Sequence, residues 1–188
     1  METDTTLPFY WVVPRRVAAG PYPGSPDPAG CESKLRGLLD HGVRSFVDLT
    51  EPGEVSRLGP LVPYDDTLAR MAGATGAAAT YRRFAVPDLS VPTPLTMLQI
   101  LDHLDAEVAT GRPVYVHCLG GKGRTGTVVG CTLLRHARRL LPRVEPASPQ
   151  IALEQIVRLR ATQGVPAPWD SPQTVCQFEF VRAWEAGV

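Results

Sequence analysis

A thiol, a glycine-rich turn and an arginine stand together at residues 117–126, His-Cys-Leu-Gly-Gly-Lys-Gly-Arg-Thr-Gly. Five residues separate Cys118 from Arg124, and three of them, Gly120, Gly121 and Gly123, are glycine. An apolar run, Val114-Tyr115-Val116, leads into the turn, and an apolar helical run leads out. The first N–H groups of a helix have no internal partners, and the helix dipole places about half a positive charge at that end. Glycines let successive N–H groups converge on one centre. The turn through Leu119, Gly120, Gly121, Lys122 and Gly123 is therefore an anion cradle, and the planar fork of Arg124 can grip two oxygens of a tetrahedral dianion. The same positive surroundings favour the thiolate form of Cys118, a nucleophile below the bound phosphorus. A nucleotide-binding P-loop fits poorly, because Lys122 is followed by Gly123 and not by Ser or Thr. The bland alternative, a buried inert cysteine beside an ordinary strand–helix turn, explains neither Arg124 nor the whole decamer.

Elements on either side must hold this turn. Pro113 to His117 reads as a short apolar strand, and Arg124 to Leu141 as a helix stopped by Pro142. Upstream, Phe9–Val13, Arg16–Gly20, Val43–Leu49 and Thr80–Val86 read as strands, Cys31–His41 as a helix and Tyr64–Ala72 as a short one. Thr50–Pro63 reads as loop. Thr93-Pro94 opens a helix with Leu98, Leu101, Leu104 and Val108 on one face. Ser148-Pro149 opens another, to about Gln163, and Ser171-Pro172 the last. Strands alternating with helices predict an α/β fold, a mostly parallel central sheet flanked by helices. The helices after residue 124 have no strands between them and should pack as a group on one side.

The decamer resembles the Cys-x5-Arg signature loop of the cysteine-dependent protein tyrosine phosphatase superfamily. It is most similar to the small dual-specificity-like branch, which includes bacterial members. The resemblance covers most of residues 9–186, and a single phosphatase domain over 1–188 is expected. It implies the dual-specificity phosphatase-like fold and metal-free, cofactor-free phosphomonoester hydrolysis through a phosphocysteine intermediate. Leu119 to Arg124 would bind phosphate. Val86-Pro87-Asp88, in a proline-bounded loop, resembles the family's Trp-Pro-Asp and implies that Asp88 is the general acid. Asp48 and Glu51, at the end of another strand, compete for that role. Thr125 would donate to the cysteine sulfur, and His117 would hydrogen-bond to the loop. The segment from Gln173 to Phe180 resembles Gln-Thr-x-x-Gln-x-x-Phe, in which a glutamine positions water. Gln173 and Gln177 share a helix face, so either fits.

The substrate class stays open at this level. A phosphorylated protein is the first expectation. Lys122 suits an extra anionic group, so a phosphoinositide or inositol phosphate is an alternative, although related lipid phosphatases carry a second lysine where this chain has Leu119. A catalytically dead phosphate-binding module is a third reading. The chain has no asparagine, which excludes the Asn-Arg-Tyr recognition loop of the larger tyrosine phosphatases. Formal net charge is zero, which gives no sign of a nucleic-acid partner. No apolar run reaches the roughly 18 residues of a membrane span. Four scattered cysteines without CxxC spacing argue against a zinc site or a disulfide framework, and a cytoplasmic setting is expected. Arg82-Arg83 reads as strand-edge charge.

Overall fold

The structure, a computed structural model, describes residues 7–74, 76, 78–136, 148–165 and 171–185. Its strands are β1 (Tyr10–Val13), β2 (Val17–Gly20), β3 (Ser45–Asp48), β4 (Val55–Ser56), β5 (Gly59–Pro60), β6 (Thr80–Arg83) and β7 (Val114–His117). Its helices are α1 (Pro28–Asp40), α2 (Asp65–Ala74), α3 (Pro94–Ala109), α4 (Gly123–Arg135), α5 (Pro149–Thr162) and α6 (Val175–Ala183). The main sheet has the order β1-β2-β7-β3-β6. β1 is antiparallel to β2, while β2, β7, β3 and β6 run parallel. The mostly parallel sheet flanked by helices is thus the fold that forms. β4 and β5 pair as a small hairpin inside the stretch expected to be loop.

The register aligns Gly20, His117, Asp48 and Arg83 across the carboxyl ends of the four parallel strands. Open parallel sheets bind ligands at that end. β7 lies at the centre and is buried at every position. On one face, Leu35 and Leu38 of α1 and Leu68 and Met71 of α2 pack with Phe46 and Tyr115. On the other, Leu101 and Leu104 of α3, Val129 and Leu133 of α4, Ile156 of α5 and Val181 of α6 pack with Val47 and Val116. Each such buried aliphatic contributes about 1.5–3 kcal/mol, so β7 sits in a deep minimum and the loop leaving it starts from a fixed point. α4, α5 and α6 pack on one another, as expected for the helices after residue 124.

Several element boundaries differ from the sequence expectation. α1 starts ahead of Cys31, because the Asp27 side chain accepts from Gly30 N and Pro28 occupies the first turn. The buried face of α3 runs through Met97, Ile100, Leu101 and Leu104, leaving Leu98 only half-buried. α6 starts at Val175, not at Ser171-Pro172. Thr174 and Gln177 form a reciprocal capping box there, which satisfies the first free N–H groups. α4 is described to Arg135; the expected extension to Leu141 falls on 137–147, outside the described residues.

Candidate active site

β7 ends on His117, and the chain turns through Cys118 into α4. Cys118 is 3% exposed and Arg124 only 1%. Gly121 has φ +67°, and a Cβ there would lie 2.4 Å from the Gly20 carbonyl carbon. The loop is therefore pressed against the end of β2 at a point where only glycine fits. Three of its carbonyls are held from outside. Tyr22 N donates to Leu119 O (3.0 Å), Arg160 Nη1 to Gly121 O (3.3 Å) and Ser171 Oγ to Lys122 O (2.9 Å). In a trans peptide the N–H points opposite to the C=O. Fixing those carbonyls outward turns the amides of Gly120, Lys122 and Gly123 the other way, as an anion cradle requires. Lys122 is half-buried at the start of α4.

The guanidinium of Arg124 is gripped on one edge by Glu54. Nη1 donates to Glu54 Oε2 at 2.6 Å and Nη2 to Oε1 at 2.7 Å. Nη1 also reaches Val86 O (3.0 Å), and Nη2 reaches Asp88 Oδ1 (2.9 Å). Burial pushes the Glu54 carboxyl up, but the hydrogen bonds from Arg124 and from Glu51 N, together with the Arg124 charge, outweigh it and hold the group below its ordinary value. Arg124 Nε is buried and has no acceptor among the described residues.

Asp88 is half-exposed, and the loop beyond it is clamped to α6. Leu89 has φ +59°, a conformation costing a non-glycine residue about 1–2 kcal/mol. Its carbonyl accepts from Thr174 Oγ1 (3.2 Å) and Cys176 Sγ (3.6 Å), and Ser90 O accepts from Gln177 Nε2 (2.9 Å). Gln177 is fully buried, and its Oε1 accepts from Gln173 N and Thr174 N. A Cβ on Gly123 would lie 2.9 Å from the Gln177 amide. Gln177 thus ties the signature loop, the Asp88 loop and the α6 cap together, while the Gln173 side chain is exposed. The two glutamines, equivalent in sequence, are separated by structure.

Beneath the loop, His117 is buried against Tyr64, whose hydroxyl lies 2.5 Å from Nε2. His117 Nδ1 faces Cys118 O at 3.4 Å, the hydrogen bond to the loop expected of it. Burial pushes the His117 imidazole down to about 4, so it is neutral near pH 7. Asp48, a competitor for the acid role, has both oxygens occupied. Oδ1 accepts from Thr50 N and Oγ1, and Oδ2 accepts from Tyr81 OH (2.7 Å) and Arg83 Nη2 (3.1 Å). Burial alone would raise its carboxyl; the neighbouring His117, then the hydrogen bonds from Thr50 and Tyr81, bring it below its ordinary value. Arg83, on the edge strand β6, is accordingly the partner of a buried carboxylate. Glu51 is exposed, and its backbone N donates to Glu54 Oε2. Thr125 is buried, and its hydroxyl makes no hydrogen bond among the described residues, to Cys118 or to any other group.

Sequence reasoning did not single out Glu54, Tyr64 or Arg160. Arg160 had a signal: it continues the buried Ala152, Leu153, Ile156 face of α5, where an arginine needs a partner. Glu54 had none, since it lies in an irregular segment far from Arg124 in the chain.

A parallel sheet whose central strand delivers a Cys-x5-Arg loop to a helix N-terminus defines a cysteine-dependent phosphatase domain. Residues 24–138 match the family model described as "Polymorphic toxin system, DSP-PTPase phosphatase", and the chain belongs to that family. Among curated proteins, it is 28% identical over 131 residues to the dual specificity protein phosphatase CDC14B of Mus musculus, covering 69% of this chain and 24% of that protein. It is 28% identical over 95 residues to the protein tyrosine phosphatase domain-containing protein 1 of Bos taurus, covering 50% of this chain and 12% of that protein. The chain therefore spans less than a third of these relatives. The crystal structure of Tk-PTP in the active form matches with a TM-score of 0.69 at 24% identity, over 96% of this chain and 98% of that one. That of PTPMT1 in complex with PI(5)P matches with a TM-score of 0.66 at 21% identity, over 94% of each chain. At those identities the shared property is the fold. No helix among the described residues is long and apolar enough to cross a membrane.

Proposed function

We propose that the protein hydrolyses phosphomonoesters, foremost those of phosphorylated proteins, through a phosphocysteine. The observation that carries this reading is the buried Arg124 Nε without an acceptor, on an arginine otherwise fully engaged, at the head of a loop that begins with Cys118. Buried donors find partners, and an oxygen of a bound phosphate supplies this one. Cys118 Sγ attacks phosphorus, the ester P–O bond breaks, and Asp88 delivers its proton to the leaving oxygen. Leu119 to Arg124 hold the equatorial oxygens. Water then attacks phosphorus while the Asp88 carboxylate takes its proton, the S–P bond breaks and phosphate leaves. Thr125, with its hydroxyl unengaged, stabilises the departing thiolate, and exposed Gln173 positions the water, with Gln177 holding the frame. No step needs a metal or cofactor. A nucleophilic thiol must stay reduced, so we place the activity in the cytoplasm of the cell where it acts.

Lys122, at the mouth of the cradle, supports a second reading, a phosphoinositide or inositol-phosphate phosphatase. The test is turnover of an aryl phosphate with chelator present. Cys118→Ser should abolish it, and Asp88→Asn should remove the basic limb of its pH profile. Undiminished turnover in Cys118→Ser overturns the mechanism. A panel of phosphopeptides and inositol phosphates decides between the two readings, and a wild-type protein that binds phosphate without turnover is a binding module.

A further inference from the structure

Soluble folds leave single apolar residues exposed anywhere; contiguous exposed groups mark contact surfaces. Of the seven large hydrophobic side chains exposed among the described residues, five lie on segments that frame the site: Val55, Leu58, Val62, Leu89 and Val175. Leu58 is 95% exposed at the tip of the β4–β5 hairpin, and Val175 is 73% exposed at the start of α6. The hairpin follows Glu54, which grips Arg124, and Leu61 N donates back to Glu54 O at 2.9 Å. Four residues of chain hold Leu58 within ~14 Å of Glu54. Leu89 follows Asp88, with its side chain half-exposed and its backbone held in the left-handed region. Val175 follows Thr174, whose hydroxyl holds the Leu89 carbonyl. Three separate segments that adjoin the site thus each carry an exposed apolar side chain.

The charges between them decide what the rim faces. Glu54 and Asp88 are paired with Arg124, and the other charges of residues 51–66 and 87–90, all exposed, are Glu51, Asp65 and Asp66 against Arg57. An acidic excess repels an anionic bilayer, which draws on Lys and Arg clusters. It complements a polypeptide with basic side chains. We propose that this rim docks the segment around a phosphorylated residue of a protein substrate, taking apolar side chains beside that residue and a Lys or Arg beyond them. The proposal rests on the phosphatase reading and narrows its substrate class.

Two phosphotyrosine peptides of equal length test it, one flanked by Leu, Ile and Lys, the other by Ser, Gln and Glu. Burial of one leucine predicts about a tenfold or greater preference in kcat/KM for the first. The double variant Leu58→Ser/Val175→Ser should lower that preference by roughly the factor that burial of one leucine supplies, with the acidic residues retained, and leave aryl phosphate turnover unchanged. Equal kcat/KM for both peptides alongside brisk aryl phosphate turnover overturns the docking rim and leaves the phosphatase reading intact. Anisotropy measurements with the Cys118→Ser chain separate the converse case: preferential binding of the first peptide, with no wild-type turnover of any substrate, sustains the rim and overturns the phosphatase reading. Sedimentation with phosphatidylserine vesicles that is lost in Leu58→Ser would also overturn the proposal, in favour of a bilayer.

Discussion

Glu54→Gln is the substitution that most directly probes how Arg124 is held. Glu54 and the guanidinium meet through two short hydrogen bonds, with side chains 7% and 1% exposed. Glutamine keeps the shape but offers one acceptor and one donor, so one hydrogen bond is lost and an NH2 group faces an Nη donor. A hydrogen bond to a charged group is worth about 1.5–3 kcal/mol, and removing one partner of a buried pair costs about 3–5 kcal/mol in general. Arg124 keeps Val86 O and Asp88, which moderates the loss to about 2 kcal/mol. For a chain of this size that lowers Tm by about 4–8 °C. Activity should suffer more than stability. A displacement of about 1 Å in a positioning group costs on the order of 100-fold, so kcat for an aryl phosphate should fall by that order with the chain still folded. The pH dependence has a definite sign. The folded Glu54 carboxyl lies below its ordinary value, so its contribution is fully present above that value. It is lost as pH falls through the folded one, and Glu54→Gln lacks that acid-side loss. A variant that melts with the wild type and turns over within threefold of it would refute the view that Glu54 sets the arginine.

Two further outcomes follow from the loop and its support. Gly121→Ala would place a Cβ 2.4 Å from a backbone carbon at φ +67°, so aryl phosphate turnover should fall at least ~100-fold with the far-ultraviolet circular dichroism retained; wild-type kcat would show that the loop need not press on β2. His117 is neutral when folded, with its imidazole down to about 4, and lies among Tyr64, Asp48, Arg83 and Arg124. The unfolded chain binds the extra proton first, so stability should be complete above about pH 6.5 and decline by on the order of 3 kcal/mol as pH falls to about 4. Urea titrations should show this slope in the wild type and not in His117→Asn; parallel slopes would remove His117 as its source.

The chemistry was legible because it sits in ten contiguous residues whose spacing has few other uses. Thr93-Pro94 and Ser148-Pro149 were equally readable, since a cap acts on its own first turn and both work as expected. Ser171-Pro172 has the same appearance and opens no helix, because Thr174 and Gln177 three residues on form the better cap. That choice depends on where Gln177 lies against Gly123 and Ser90, a tertiary matter. The same limit hid Glu54. Its role is a pairing between an irregular segment and a helix start, and neither periodicity nor composition registers such a pairing. The exposed and buried glutamines of the α6 segment could not be told apart for the same reason.

The two carboxylates on Arg124 are not equivalent, and the difference bears on how the proposed acid is engaged. Glu54 takes both Nη groups and is 7% exposed, whereas Asp88 takes only Nη2 and is 54% exposed. Displacing Glu54 would strand a buried charge; displacing Asp88 releases a carboxyl to water. A dianion entering the cradle finds Nε unengaged and competes only for the Nη2 contact, so Asp88 is the group that yields. The cradle and the Asp88 loop then act in sequence: the arginine holds the loop in place before substrate arrives, and the substrate's own oxygens displace the Asp88 side chain and free it for the role proposed for it.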